Sequence, residues 1–118
     1  CLLGWLAGSS PDRSTLEAGD WPQILGPPRN GVAANETLDG TRAKVAWRVP
    51  CGEGFAGVAV AGGTVVLFHR LKNEETLSAY DAVTGQPRWS RGFPCTYRAQ
   101  IVDDGGPRAV PTIHGDRV

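Results

Sequence analysis

The sequence predicts an all-β chain, a four-stranded antiparallel meander followed by the opening of a second unit of the same kind. Three observations lead there. From Lys44 onward, apolar residues recur with a period of two, the spacing of a half-buried strand. Sixteen Gly and nine Pro among 118 residues punctuate the chain every few positions, nearly twice ordinary usage. A stretch centred on Trp47 also returns about 42 residues later at Trp89, a period that marks repeat architectures. No 3.6-residue apolar stripe runs longer than two turns, so a helical bundle is excluded.

The elements follow in order. Cys1–Ser10 is apolar and then abruptly small and polar. It reads as the remnant of a secretory signal peptide, with Ala7 and Ser9 spaced as an A-x-A-like site requires. The expectation is an exported protein of the periplasm or cell envelope, and the absence of Met is read as the mark of a fragment. The apolar run Cys1–Gly8 is far short of the roughly 20 residues of a spanning helix, so no membrane span is expected. Residues 11–42 form an extended leader. Pro11, Pro22, Pro27 and Pro28 block regular helix there. Trp21, Ile24 and Leu25 are its anchors, and it is expected to lie across something else.

Lys44–Val49 alternates up to Pro50 and reads as a strand. Gly57–Ala61 is the next, stopped by Gly62-Gly63, a two-residue hairpin signal. Thr64–Leu71 follows, then the polar turn Lys72–Glu75 and the strand Thr76–Tyr80. Asp81–Gly85 is a turn with Gly at its tight corner. Gln86–Arg91 begins the last strand, with Pro87 tolerable at a strand start or on an edge. The repeat is then visible. Ala46-Trp47-Arg-Val-Pro50-Cys51 is echoed by Arg88-Trp89-Ser-Arg-Gly-Phe-Pro94-Cys95. Val58–Val65 is echoed by Ala109–Val118, after an insertion from Thr96 to Pro107.

Ser78-Ala-Tyr-Asp81-Ala-Val-Thr-Gly85-Gln-Pro-Arg-Trp89 resembles the blade ending of the pyrroloquinoline-quinone-like β-propeller repeat, a-x-D-x-x-T-G-x-x-x-W. Asp20-Trp21-Pro22, Gly26-Pro27-Pro28-Arg29-Asn30-Gly31, Gly52–Val58 and Gly106–Thr112 resemble segments of exported, planctomycete-type members. The resemblance implies that residues 43–118 are a partial propeller: a closing strand, one full four-stranded blade and the start of a second. It gives structural roles to Trp47, Asp81, Gly85 and Trp89. The tryptophans supply apolar faces for docking between blades, and an indole N–H in such a place needs a backbone carbonyl. Asp81 and Thr84 cap the turn with side-chain hydrogen bonds, while Gly85 takes a positive φ. One blade alone cannot bury both faces.

Chemistry-bearing groups are sparse. Twelve Lys+Arg balance twelve Asp+Glu, so the chain carries no electrostatic footprint for nucleic acid. Gly52-Glu-Gly-Phe-Ala-Gly57 satisfies G-x-G-x-x-G, but a strand and a turn follow where a dinucleotide site needs a helix. A Gly-rich connection between blades is the reading adopted. Cys51, His69, Cys95 and His114 show no zinc spacing, and Asp103-Asp104 lacks the alternation of a calcium loop. No metal site is expected. Cys51 and Cys95 occupy equivalent repeat positions; they are read as two separate buried thiols, with a disulfide as the alternative. The insertion gathers Tyr97, Arg98, Asp103 and Arg108, the only candidates for a binding surface toward a protein or small-molecule ligand at the propeller face.

No catalytic constellation is present, so the leading expectation is a propeller scaffold or binding module of the bacterial envelope with no evident cofactor. Under the resemblance, the alternative is the N-terminal part of a quinoprotein alcohol or sugar dehydrogenase, with pyrroloquinoline quinone and Ca²⁺ as cofactors.

Overall fold

The computed structural model describes residues 19–33, 36, 40–42, 44–97 and 105–118. Among the described residues a 3-10 turn, Gly40–Arg42, precedes four strands. These are β1 (Ala59–Ala61), β2 (Thr64–Leu71), β3 (Glu74–Asp81) and β4 (Pro87–Pro94). They form one antiparallel sheet in chain order, the meander that alternation and turn chemistry predict. Among the described residues no α-helix occurs, and no helix is long and apolar enough to cross a membrane.

Turn chemistry fixes the register. Gly62 and Gly63 join β1 to β2 with φ of 52° and 68°, the two positive values of a type I′ hairpin. The next hairpin is tighter than its polar sequence indicates. Lys72 takes φ 58° and the turn is only Lys72-Asn73, so Glu74 and Glu75 are pulled into β3 opposite Leu71 and Arg70. β4 starts at Pro87 and runs to Pro94, three residues past the expected Arg91. Its register slips where Ala79 faces Trp89 but Tyr80 faces Pro87. A proline cannot donate to the ladder, and an extra residue beside it relieves the mismatch.

Partners in register share a face, so one row crosses the sheet: Ala59, Val66, Ala79, Trp89. The first three are buried to 1% exposure or less, whereas Trp89 is 42% exposed. The core is thus a thin line that opens at β4.

Two expectations are corrected. Lys44–Val49 is extended but is not a strand. A ladder needs a neighbouring backbone, and this segment attaches instead through the Trp47 side chain. Ala109–Val118 forms no strand; among the described residues its β-bridge is the one between His114 and Arg117. That bridge is the counterpart of the Ala61–Thr64 closure in the first unit.

The leader finds its place. Trp21 exchanges both backbone hydrogen bonds with Val60 (2.7 and 2.9 Å), and Pro22 O accepts from Ile113 N at 2.8 Å. Val60 and Ile113 hold the same position in successive repeats, so adjacent leader residues bond equivalent sites. Ile24 and Leu25, expected as anchors, stay more than half exposed; Leu25 is displaced by a turn that gives it φ 63°.

Candidate functional site

Two constructions on the sheet hold most of the side-chain chemistry. The first is the Asp81–Gly85 turn. Asp81 Oδ1 accepts from Val83 N, Thr84 N and Thr84 Oγ1 at 2.9–3.0 Å, and Oδ2 accepts from Arg88 Nη2 at 2.7 Å. The Arg88 guanidinium, then the Thr84 amide and hydroxyl, hold the Asp81 carboxyl far below its ordinary range. A carboxylate depressed in the folded state stabilises at pH above its unfolded value near 3.8 and loses that contribution as pH falls. An acid titration of stability will therefore lose this component below about pH 4, and Asp81→Asn will flatten the profile there. Equal profiles would contradict the assignment.

Trp47 seats on this turn. Its Nε1 donates to Ala82 O at 3.0 Å, and its ring lies over Gly85, whose φ is 70°. A Cβ built on Gly85 would stand 2.7–2.9 Å from three ring atoms, so only glycine fits both the backbone and the indole. Trp89, the echo of Trp47, has no such seat; it borders a recess of about 270 Å³ with Tyr80, Pro87 and Arg88.

The second construction lies at the far end of β2, where the polar pair His69-Arg70 interrupts an apolar strand. His69 is 3% exposed. Its Nδ1 accepts from Gly52 N at 2.8 Å, and Nε2 lies 2.9 Å from Ser78 Oγ. A backbone amide only donates, so Nδ1 is bare and the ring proton sits on Nε2, directed at Ser78. An Nε2 that donates to the hydroxyl cannot take its proton. The pair therefore has the residues of a nucleophilic dyad with the polarity reversed, and it acts as a fastener. Burial lowers the His69 pKa from its ordinary value.

Arg70, on the opposite face by strand alternation, is buried as well, at 3% exposure. Nη1 donates to Tyr97 O at 2.7 Å; Nη2 contacts Glu75 Oε1 and Cys95 Sγ, each at 2.9 Å. Among the described residues its Nε has no hydrogen-bond partner. Glu53 exchanges backbone bonds with Arg70 (2.7 and 3.1 Å), while Phe55 N and Ala56 N donate to Pro107 O at 2.9 and 3.1 Å. The Gly52–Ala56 segment is thus clamped between β2 and the start of the second unit. Gly52 is required for contact: a Cβ there would meet Arg70 O at 1.9 Å.

Of the four insertion candidates, Tyr97 and Arg108 are described, whereas Arg98 and Asp103 lie outside the described residues. Tyr97 is 58% exposed, and the Arg108 guanidinium lies 5.4 Å over the exposed Phe55 ring. Tyr97 and Gly105 both abut Arg70, which draws the two ends of the insertion together. Sequence reading missed Arg70, Glu75 and Phe55. The signal was consecutive polar residues at adjacent positions of an apolar strand, one of which must face inward. Cys51 and Cys95 are free, as read, but not both buried: Cys51 is exposed and Cys95 half-buried. They flank the Lys72-Asn73 turn from opposite edges of the strand pair. Three strand spacings, on the order of 14 Å, separate them, against a Cα separation of about 4.4–6.8 Å in a disulfide.

No family profile, characterised protein or solved structure matches the chain. Among the described residues no group of three or more His, Cys, Asp or Glu could hold a metal ion.

Proposed function

We propose that this chain is a β-propeller scaffold or binding module of the bacterial cell envelope, with the described meander as one blade. The observation that carries the reading is the seat of Trp47 on the Asp81–Gly85 turn, together with its echo Trp89, which lies open at the end of the buried row. A tryptophan from one repeat closing on the turn of the next is a rule that propagates. Each repeat both offers an indole and receives one, as packing of successive sheets around an axis requires. The leader supports the same reading by bonding equivalent residues of two repeats. Phe55, Tyr97 and Arg108 supply the exposed aromatic and cationic groups for a ligand on the insertion side.

The docking rule is tested by sedimentation. The Asp81–Gly85 turn of each copy is already filled by its own Trp47, so the open Trp89 shelf will bury itself against the Trp89 shelf of a second copy and the chain will associate with rising concentration. Trp89→Glu will make it monomeric with the sheet's circular dichroism unchanged. A wild-type chain that stays monomeric at high concentration would sink the docking rule. Fractionation of native cells with an antibody to the meander tests location: recovery in the cytosol would overturn the envelope assignment.

A further inference from the structure

We infer that His69 is an acid-released clasp, which in its neutral form holds the Gly52–Ala56 segment on the sheet and lets it go when the ring is protonated. This goes beyond the propeller reading and does not depend on it. The geometry leaves the ring no second option. Nδ1 accepts from Gly52 N and Nε2 donates to Ser78 Oγ; a second ring proton lands on Nδ1, directly against the Gly52 N–H. Two donors then face each other across 2.8 Å. Gly52 cannot shift inward, because its α-carbon already packs against Arg70 O. The segment can only move outward, and it carries the Glu53–Arg70 bridge and the Phe55 and Ala56 bonds to Pro107. One proton thus opposes the attachment of the second unit to β2.

The surroundings favour the neutral ring. Ser78 faces it from β3, where Thr76 is its register partner. Ser90 and Gly92 lie on the same face of β4, and Arg91 is on the other. Arg70 and Glu75 pair on the opposite face. Glu53 and Lys72, on the flanking segments, are exposed, and the Glu74 carboxylate lies over Gly92. Among the described residues none of these carboxylates bonds the ring. Burial lowers the His69 pKa below its ordinary 6.5. The sign follows: the released, solvated ring takes up a proton first as pH falls below about 6.5, so the clasp is full above that pH and weakens below it.

The test is amide exchange and ring ¹⁵N spectroscopy on the whole chain. At pH 7.5 the His69 ring will show the Nε2–H tautomer. Between pH 7.5 and 5 the protection factors of Phe55 and Ala56 will fall, while Val66 and Leu77 in the sheet keep theirs. His69→Gln, whose amide oxygen can accept from Gly52 N without titrating, will remove the pH dependence. Should that variant fail to fold, the wild-type chain decides the matter alone: the Gly52 amide shift and the His69 ring must titrate with one midpoint. An Nδ1–H tautomer, separate midpoints, an equal fall in His69→Gln, or simultaneous loss of protection in Val66 and Leu77 would each overturn the clasp.

Discussion

Gly85→Ala will destabilise the chain by roughly 3 kcal/mol, measured by chemical denaturation, and will expose Trp47 to quenchers. Two costs combine. Placing a Cβ at φ 70° costs about 1–2 kcal/mol. The same Cβ enters the Trp47 ring at 2.7–2.9 Å, where overpacking adds about 1–3 kcal/mol unless the indole leaves. If it leaves, the bond from Nε1 to Ala82 O goes with it. Trp47→Ala, which removes the ring but keeps the glycine, separates the two. In that background Gly85→Ala should cost only the backbone component. A cost that stays at 3 kcal/mol without the ring would show that the glycine serves the turn alone.

Arg70→Met will be the more damaging of the polar substitutions, at about 2–4 kcal/mol. Breaking a buried ion pair leaves one charge without its partner, at about 3–5 kcal/mol; the figure is reduced here because Glu75 retains 26% side-chain exposure. Tyr97 O also loses its donor, which should loosen the insertion before the sheet. Arg70→Met with Glu75→Leu should recover most of the loss, since an apolar pair of similar volume avoids the desolvation penalty. Failure of the double variant to recover would shift the weight to the contacts with Tyr97 and Cys95.

The meander was legible because its signals are local. The apolar run in Thr64–Leu71 and the Gly62-Gly63 pair need only near neighbours, and β2 has the bounds that reading assigned. What escaped depends on residues distant in sequence. Lys44–Val49 alternates as well as any strand, yet it joins no ladder among the described residues, and alternation cannot report a missing neighbour. The burial of Arg70 depends on partners elsewhere in the chain, among them Tyr97 O. Glu75 read as turn because the positive φ at Lys72 is not written in that side chain. Of the binding candidates, Tyr97 and Arg108 were legible by residue type, whereas the bond from Arg70 to Tyr97 O and the seat of Arg108 on Phe55 join residues far apart in sequence.

The leader has a consequence for the order of assembly. Its bonds to Val60 and Ile113 join residues far apart along the chain, and such contacts must wait until the intervening loops have closed. The β2–β3 hairpin needs only a two-residue turn, so it can form at once. The leader can bond only after Val60 and Ile113 lie side by side, which makes it a late arrival and an early departure. Hydrogen exchange at Trp21 and Ile113 should therefore report whether two successive repeats have closed up, long before any change is visible within the sheet.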